Sequence, residues 1–417
     1  MQRTPRNVQR VYLTLALFNT MATSLIWGIN TLFLLDAGLS STEAFAANAF
    51  FTAGQVLFEV PTGVVADTMG RRTSYMTGAI TLSIATALYL LAWQLSAPFW
   101  AWAVTSVLLG LGFTFFSGAT EAWLIDALAD TGYAGKLEAV LAKGEIVEGA
   151  AMLTGSVAGG LIAQVSNLGV PYVLRAAFLL VTFVVAYKFM RDWGFTPARG
   201  KQPLQEVKHV LKMSIDHGFR NRPVRWVMLA APFTMGVGIY GFYAMQPYLL
   251  ELYGNPEAYV VAGLSAALVA GSQIVGGLLV PLAGRLFERR TSILLISVLV
   301  SVAALALIGL VQNFWLAVAV LAIWALVFAA SNPVRSAYLN KLIPSAQRAT
   351  VLSFDNLMAS SGGVALQPTL GRVADTSGYA ASYLVSSAFQ LLALPFTWLS
   401  RRERQPADCI EQDDASK

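Results

Sequence analysis

The chain has 417 residues, 56% of them hydrophobic and only 12% charged, with a mean hydropathy of +0.60. A soluble domain carries about 25% charged residues, so half that amount cannot cover a water-facing surface, and lipid is the expected solvent. The net charge of +5 comes from basic residues scattered through short loops, which fits anionic lipid headgroups and argues against a nucleic-acid face. A single cysteine, Cys409, excludes an intrachain disulfide, and two histidines, His209 and His217, leave no metal cluster or catalytic triad to build.

In chain order, Arg3, Arg6 and Arg10 precede an apolar run of about 25 residues without a small-residue cleavage site, which reads as a retained first span. Eleven more runs follow, giving spans near 11–35, 43–66, 73–95, 98–126, 145–165, 170–190, 226–250, 258–284, 291–312, 314–340, 349–373 and 380–399. Each must be a helix, because a lone apolar run in lipid has to satisfy its own backbone. Counting basic residues, 26 of 28 fall on one side if the N-terminus is inside. Both termini are therefore expected in the cytoplasm, with the chain in the plasma (inner) membrane. The expected organisation is an N-terminal half over 1–190, a cytoplasmic linker over 191–224, a C-terminal half over 225–400 and a cytoplasmic tail over 401–417. Within the linker, Leu204, Val207, Val210, Leu211 and Ile215 recur at helical spacing beside Lys208 and Lys212, predicting an amphipathic helix on the membrane surface.

Between the second and third runs lies Gly63-Val-Val-Ala-Asp67-Thr-Met-Gly70-Arg71-Arg72. Gly63 is expected to let helices pack closely, Asp67 to cap a helix or take a cation, and Gly70 to permit a tight turn held by Arg71 and Arg72. In the fourth span Ser106, Gly110, Phe113, Ser117 and Glu121 share a helical face, whereas Asp126 lies about 140° around it. The fifth span carries Ala151, Gly155, Ser156, Gly159 and Gly160, small residues suited to close packing. The halves repeat. Arg71-Arg72-Thr73-Ser74 recurs as Arg289-Arg290-Thr291-Ser292, and the stretch 117–128 aligns with 331–342, pairing Glu121 with Arg335 at matching depth. An unpaired charge there costs several kcal/mol, about 3 on insertion scales. Glu121 and Arg335 are therefore expected to meet or share a network, with Glu148 and Asp355 able to join or titrate.

The pattern G-x-x-x-D-x-x-G-R-R at the end of a second span resembles the loop signature of the major facilitator superfamily. The resemblance runs over essentially the whole chain outside the tails. It implies an all-α fold of twelve transmembrane helices in two pseudo-symmetric six-helix halves, with no cofactor or metal. It also places Asp126 with Asp67 and Arg71 in a charge network at the cytoplasmic end. The fifth-span glycines are similar to the G-x-x-x-G-P-x-x-G-G signature of the drug/proton antiporter branch, with Ser156 in place of the proline. A second departure is Ser106, which stands where that branch usually has an arginine. In the resembled fold spans one, four, seven and ten line the cavity. The candidate lining is then Asn19, Thr23, Trp27, Asn30, Phe113, Ser117, Tyr240, Tyr243, Gln246, Trp324, Phe328 and Asn332, an aromatic and amide-rich set with few charges. Such a lining suits a lipophilic or amphiphilic small molecule. The expected activity is secondary active export in exchange for protons, driven by the proton gradient, by a monomer in the bilayer with no nucleic-acid partner. The alternatives are a carrier for a specific polar metabolite and a non-transporting sensor. No nucleophile, metal or acid–base cluster argues for an enzyme.

Overall fold

The structure, a computed structural model, describes residues 3–197, 218–344 and 348–410. Its described residues are almost entirely helical. The first span is broken: α1, Pro5–Trp27, is capped by the Thr4 hydroxyl and turns by 50° at Gly28 and Ile29 into α2, Asn30–Asp36. A side chain on Gly28 would lie 2.9 Å from Ala266 Cβ, so the bend depends on glycine. The second and third spans are α3, Ser41–Met69, and α4, Arg71–Gln94. The fourth is broken again into α5, Phe99–Thr114, and α6, Ala119–Asp130, and is followed by α7, Leu137–Val165, and α8, Val170–Phe189. The second half begins with α9, Arg222–Tyr253. It continues through α10, Tyr259–Leu278, α11, Val280–Leu286, α12, Arg290–Leu310, and α13, Phe314–Leu342. Then α14, Arg348–Leu391, and α15, Ala393–Arg402, complete the chain of helices.

Among the described residues ten helical stretches are long and apolar enough to cross a bilayer, and the bent α1–α2 pair makes eleven. The last stretch, Val351–Arg402, is 52 residues long and is interrupted at Gly378, where φ is +85°. At about 1.5 Å per residue it is far longer than one crossing. It covers the two runs expected at 349–373 and 380–399, which accounts for the twelfth span. The helix expected at 204–215 lies outside the described residues.

The chain divides into two compact units. Unit 1 comprises residues 1–39, 50–207 and 257–267, and unit 2 comprises 40–49, 208–256 and 268–417. These boundaries differ from the two sequence halves in two stretches, since the start of α3 belongs with unit 2 and the start of α10 with unit 1. Inside unit 1, Phe33 stacks on Tyr172 with ring centroids 4.0 Å apart and meets the edge of Trp102. The Tyr89 hydroxyl is 2.5 Å from Ser106 Oγ, which ties α4 to α5. Ser106 therefore points into the helix packing and not along an open face with Phe113 and Ser117. Arg175, one of the two basic residues outside the loops, is also buried in this unit and donates to the Thr86 hydroxyl at 3.2 Å. Inside unit 2, α9 and α14 approach so closely that a Cβ on Gly236 would sit 2.5 Å from the Gly362 carbonyl carbon. Small residues thus serve here as they do in membrane bundles generally, by letting backbones touch.

Candidate functional site

In unit 1 the basic turn is built around a residue that the sequence does not advertise. Gly70 has φ +105° and ψ 149°, a region reserved to glycine. A Cβ there would also lie 2.5 Å from the Asp192 carboxylate. That carboxylate accepts the Arg72 backbone N–H at 2.9 Å, so it caps the first turn of α4. Burial pushes the Asp192 carboxyl up. The bond from the Arg72 backbone and the charges of Arg72 and Arg71 pull it down by less, and the neighbouring Asp126 carboxylate raises it further. Arg71 pairs with Asp67 one helical turn back, Nη1 to Oδ1 at 2.6 Å, and its guanidinium lies 5.9 Å from the Phe195 ring centre. Arg72 lies over the Tyr187 ring and donates to the Tyr187 carbonyl at 2.5 Å. The segment that carries Asp192 is fixed in turn by the Trp123 indole, which donates to the Arg191 carbonyl at 2.7 Å.

The expected Asp67–Arg71 association is thus present as an ion pair. Asp126 stands beside Asp192 in the same cluster and adds a repulsive charge there. Gly63 differs from its expected role: a Cβ at that position would meet nothing within 4 Å, so close helix packing does not explain it. The close contacts belong to the fifth-span glycines. Gly155 faces the Ser24 side chain, Gly159 faces the Leu25 carbonyl, and a Cβ on Gly160 would lie 2.9 Å from Gly263 Cα.

The break in the fourth span forms a second feature of this unit. Gly118 adopts a left-handed conformation, with φ +67°, between α5 and α6. Carbonyls freed by such a break need donors in a bilayer. The Thr62 hydroxyl supplies one to Thr114 O at 3.2 Å and the Ser74 hydroxyl one to Phe115 O at 2.9 Å. At the break, Ser117 Oγ donates to Glu59 Oε1 at 2.6 Å. Glu59 lies well inside α3 and is not at its end, while Phe113, Ser117 and Glu121 are exposed along the broken span. Glu148 is half-buried on α7, near enough to Glu145 and to the Tyr12 and Tyr75 hydroxyls to act on them electrostatically. Asn19, Thr23, Trp27 and Asn30 are half-buried along α1 and the start of α2, and Asn30 Oδ1 accepts the Tyr172 hydroxyl at 2.9 Å.

Unit 2 contains a small cavity of about 50 Å³ with room for a few water-sized groups. Its lining includes Thr234, Ser297, Ser301, Phe328, Asn332, Arg335 and Gln390. Gln390 and Ser301 are each only 4% exposed, and the sequence reading missed both. Of the candidate cavity residues Phe328 and Asn332 are part of this lining, but three others are packed away. Tyr240 is fully buried, with its hydroxyl donating to Ser382 Oγ at 2.6 Å; Gln246 is likewise fully buried, and Trp324 stacks on Phe328. Tyr243 is half-buried. Arg335, at the cavity edge, makes a two-pronged ion pair with Asp355 on α14, at 2.7 and 2.5 Å. Asp355 is 2% exposed and Arg335 half-buried, so the Asp355 carboxylate depends on the guanidinium for its counter-charge. Among the described residues no group of three or more Cys, His, Asp or Glu side chains could hold a metal ion.

The family model described as "Major Facilitator Superfamily" matches residues 12–281 and 266–416. A search of curated proteins finds none that matches. Among solved structures, the nucleoside transporter NupG superposes with a TM-score of 0.77 at 11% identity, covering 94% of this chain and 99% of its own. A bacterial homolog to the human lysosomal transporter Spinster gives a TM-score of 0.73 at 15% identity, covering 97% and 98%. A D-xylose-proton symporter gives 0.66 at 16% identity, covering 94% and 96%. At such identities the likeness is one of fold.

Proposed function

Because the chain belongs to the major facilitator superfamily and is therefore a membrane transporter and not an enzyme, we propose that it exports a small lipophilic or amphiphilic compound in exchange for protons. The transport itself is secondary and proceeds by alternating access, as the fold supports. The observation that carries the substrate class is the charge balance at the candidate site. Among the described residues the one base lining the unit 2 cavity, Arg335, is neutralised by Asp355, and the rest of the lining is hydroxyl, amide, aromatic and otherwise apolar. A phosphorylated or strongly anionic substrate needs a spare Arg or Lys, and this site offers a neutral surface instead. Proton coupling is supported by acids with no basic bonding partner among the described residues: Glu59 is bonded to a serine hydroxyl, and Glu148 stands beside Glu145. Efflux and antiport draw on the fifth-span glycines, which pack against α1 and α10 within unit 1.

The test is accumulation of a panel of lipophilic fluorescent compounds in cells with and without the protein, repeated with a protonophore. Lower accumulation that the protonophore abolishes is the expected result. A second reading is favoured by one observation, the cluster of Ser297, Ser301, Asn332 and Gln390 around the cavity. Such groups suit a neutral solute rich in hydrogen-bonding groups, and proteins of this fold include carriers of nucleosides and of D-xylose. Counterflow of a labelled nucleoside or pentose in proteoliposomes, without any effect on the lipophilic panel, would replace the first reading with the second.

A further inference from the structure

The end of α3 remote from the basic turn is held by a residue with no role in the readings above. Asp375, on α14 three residues before the Gly378 break, receives three hydrogen bonds from the first turn of α3, all within unit 2. The Ser41 backbone N–H donates to Oδ1 at 2.8 Å, and the Thr42 backbone N–H donates to Oδ2 at 2.8 Å. The Thr42 hydroxyl donates to Oδ2 at 2.5 Å. One helix thus supplies the carboxylate that caps the start of another, where free N–H groups and the helix dipole both favour a negative charge. The contact is closed further by the Ser41 and Tyr379 hydroxyls, 2.9 Å apart, and by Gly371, where a Cβ would lie 2.9 Å from the Ser41 carbonyl. Beneath it Phe45 packs against Tyr240, with ring centroids 4.7 Å apart.

The repeat of the halves supplies a comparison. The offset of 218 that maps Arg71 onto Arg289 maps Thr42 onto Val260, in the first turn of α10. Val260 N–H also donates to a side chain from another helix, Gln164 Oε1 on α7, within unit 1. That bond is single, uncharged and 3.4 Å long. The two sites occupy equivalent places, and only one of them carries an ionised group and three bonds. Hydrogen bonds to a charged group are roughly twice as strong as neutral ones, so the difference in holding strength is large.

We propose that Asp375 is the dominant catch on the side of the membrane opposite Arg71 and Arg72: a positioning residue that keeps the first turn of α3 against α14 and releases it when the pathway opens on that side. The inference rests on alternating access and not on the choice of substrate. A capping carboxylate is suited to this role because its bonds are local and all made to one turn, so they break and reform together without repacking a core.

The test needs no substrate. Cys409, the single cysteine, is replaced by serine, and a reporter cysteine is placed at Ala44, which is fully buried one turn beneath the catch. The protein, reconstituted in liposomes, is labelled with a membrane-impermeant maleimide applied from either side. Asp375→Asn is expected to raise the labelling rate from the side opposite the basic turns by about tenfold, the scale set by weakening one charge-assisted bond. Thr42→Val, which removes only the hydroxyl, is expected to raise it less. Gln164→Leu is expected to change a reporter at Ala262 by under threefold. An unchanged rate in Asp375→Asn, in protein that elutes as one symmetric species on size exclusion, overturns the proposal. If Asp375→Asn does not fold, an unchanged rate in folded Thr42→Val overturns it instead.

Discussion

Asp192 Oδ1 accepts the backbone N–H of Arg72 at 2.9 Å, which makes the residue after the sixth span a cap for the third. The second half repeats the device. Asp408 Oδ1 accepts the Thr291 N–H at 2.8 Å, and its other oxygen accepts the Thr291 hydroxyl at 2.8 Å. Both basic turns therefore owe their shape to an aspartate from a segment far along the chain. The internal repeat extends past the helices into these two short segments.

Gly70→Ala tests the first of these caps. The substitution places a side chain in a backbone region that only glycine occupies, which costs about 1–3 kcal/mol, and drives it into the Asp192 carboxylate. The expected outcome is a clear fall in the temperature at which the protein leaves the monodisperse peak on size exclusion after heating. Gly63→Ala, whose added Cβ meets nothing within 4 Å, should leave that temperature within a degree or two of the parent, about 0.5 kcal/mol. Equal effects at the two glycines would show that the loop tolerates or resists alanine for some reason other than Asp192.

The pH dependence of stability has a definite sign. Burial raises the folded-state value of the Asp192 carboxyl above its unfolded value, so the folded protein holds this proton over a window where the unfolded chain has released it. The associated stability is fully present below the ordinary carboxylate range and is lost as pH rises through the raised folded value. Asp192→Asn keeps an oxygen to accept the Arg72 N–H and cannot ionise. Its melting temperature should therefore gain on the parent's as pH is raised from 4 towards 7, with the two curves converging at the acid end. A gap that narrows with rising pH would contradict the assignment.

What could be read in advance follows from the solvent. In lipid each span must be a long apolar helix, so the number and places of the spans were visible, as was the Asp67–Arg71 pair one turn apart. Which face of a span points where was much less visible. A membrane helix is apolar almost all round, and periodicity then carries little information. Tyr240 and Gln246 share helical spacing with Tyr243, yet both are fully buried. The broken fourth span was also hidden, because Gly118 is one glycine among several. Arg335 was recognisable as a base inside an apolar span, in need of an acid. Its partner is Asp355, twenty residues on and within unit 2, which the spacing of the sequence repeat did not single out.

Asp355→Asn should be among the most damaging single changes in the chain. It leaves the Arg335 guanidinium, whose side chain is 19% exposed, without its counter-charge, a loss towards the lower end of the roughly 3–5 kcal/mol of a fully buried pair. The paired change Arg335→Met with Asp355→Leu removes both charges and should recover most of the thermal stability, while removing whatever the pair contributes to transport. A double variant as unstable as the single one would mean that the pair is needed for packing and not merely for mutual neutralisation.

Proton coupling separates the acids of unit 1. Glu59 is bonded to the Ser117 hydroxyl at the break in the fourth span, and Glu121 is exposed in the first turn of α6, beyond that break. Glu59→Gln preserves the shape of the Ser117 contact and removes the carboxylate. If Glu59 carries the proton, transport in Glu59→Gln becomes independent of pH while Glu121→Gln retains the parent's profile. The reverse pattern assigns the role to Glu121, and two unaltered profiles would exclude both.

The C-terminal segment offers the last prediction. Composition alone makes residues 401–417 a solvated tail, but 405–410 are docked on the second basic turn. Arg290 Nη1 donates to Ala407 O at 2.8 Å and to Cys409 O at 2.5 Å, and the Ile410 N–H donates to Glu288 O at 2.9 Å. Ile410 and Ala407 also pack on the apolar cluster around Val224, Ile293 and Tyr338. A chain ending at Arg404 loses the Asp408 cap, worth about 1–2 kcal/mol for a helix N-terminus, together with these contacts. Truncation after Arg404 is therefore expected to lower the melting temperature by several degrees relative to a chain ending at Ile410. Asp408→Ala in the full chain isolates the cap and should reproduce part of the loss. If truncation after Arg404 is harmless, the third span of the second half does not need its cap, and the correspondence between Asp192 and Asp408 is one of geometry without energetic weight.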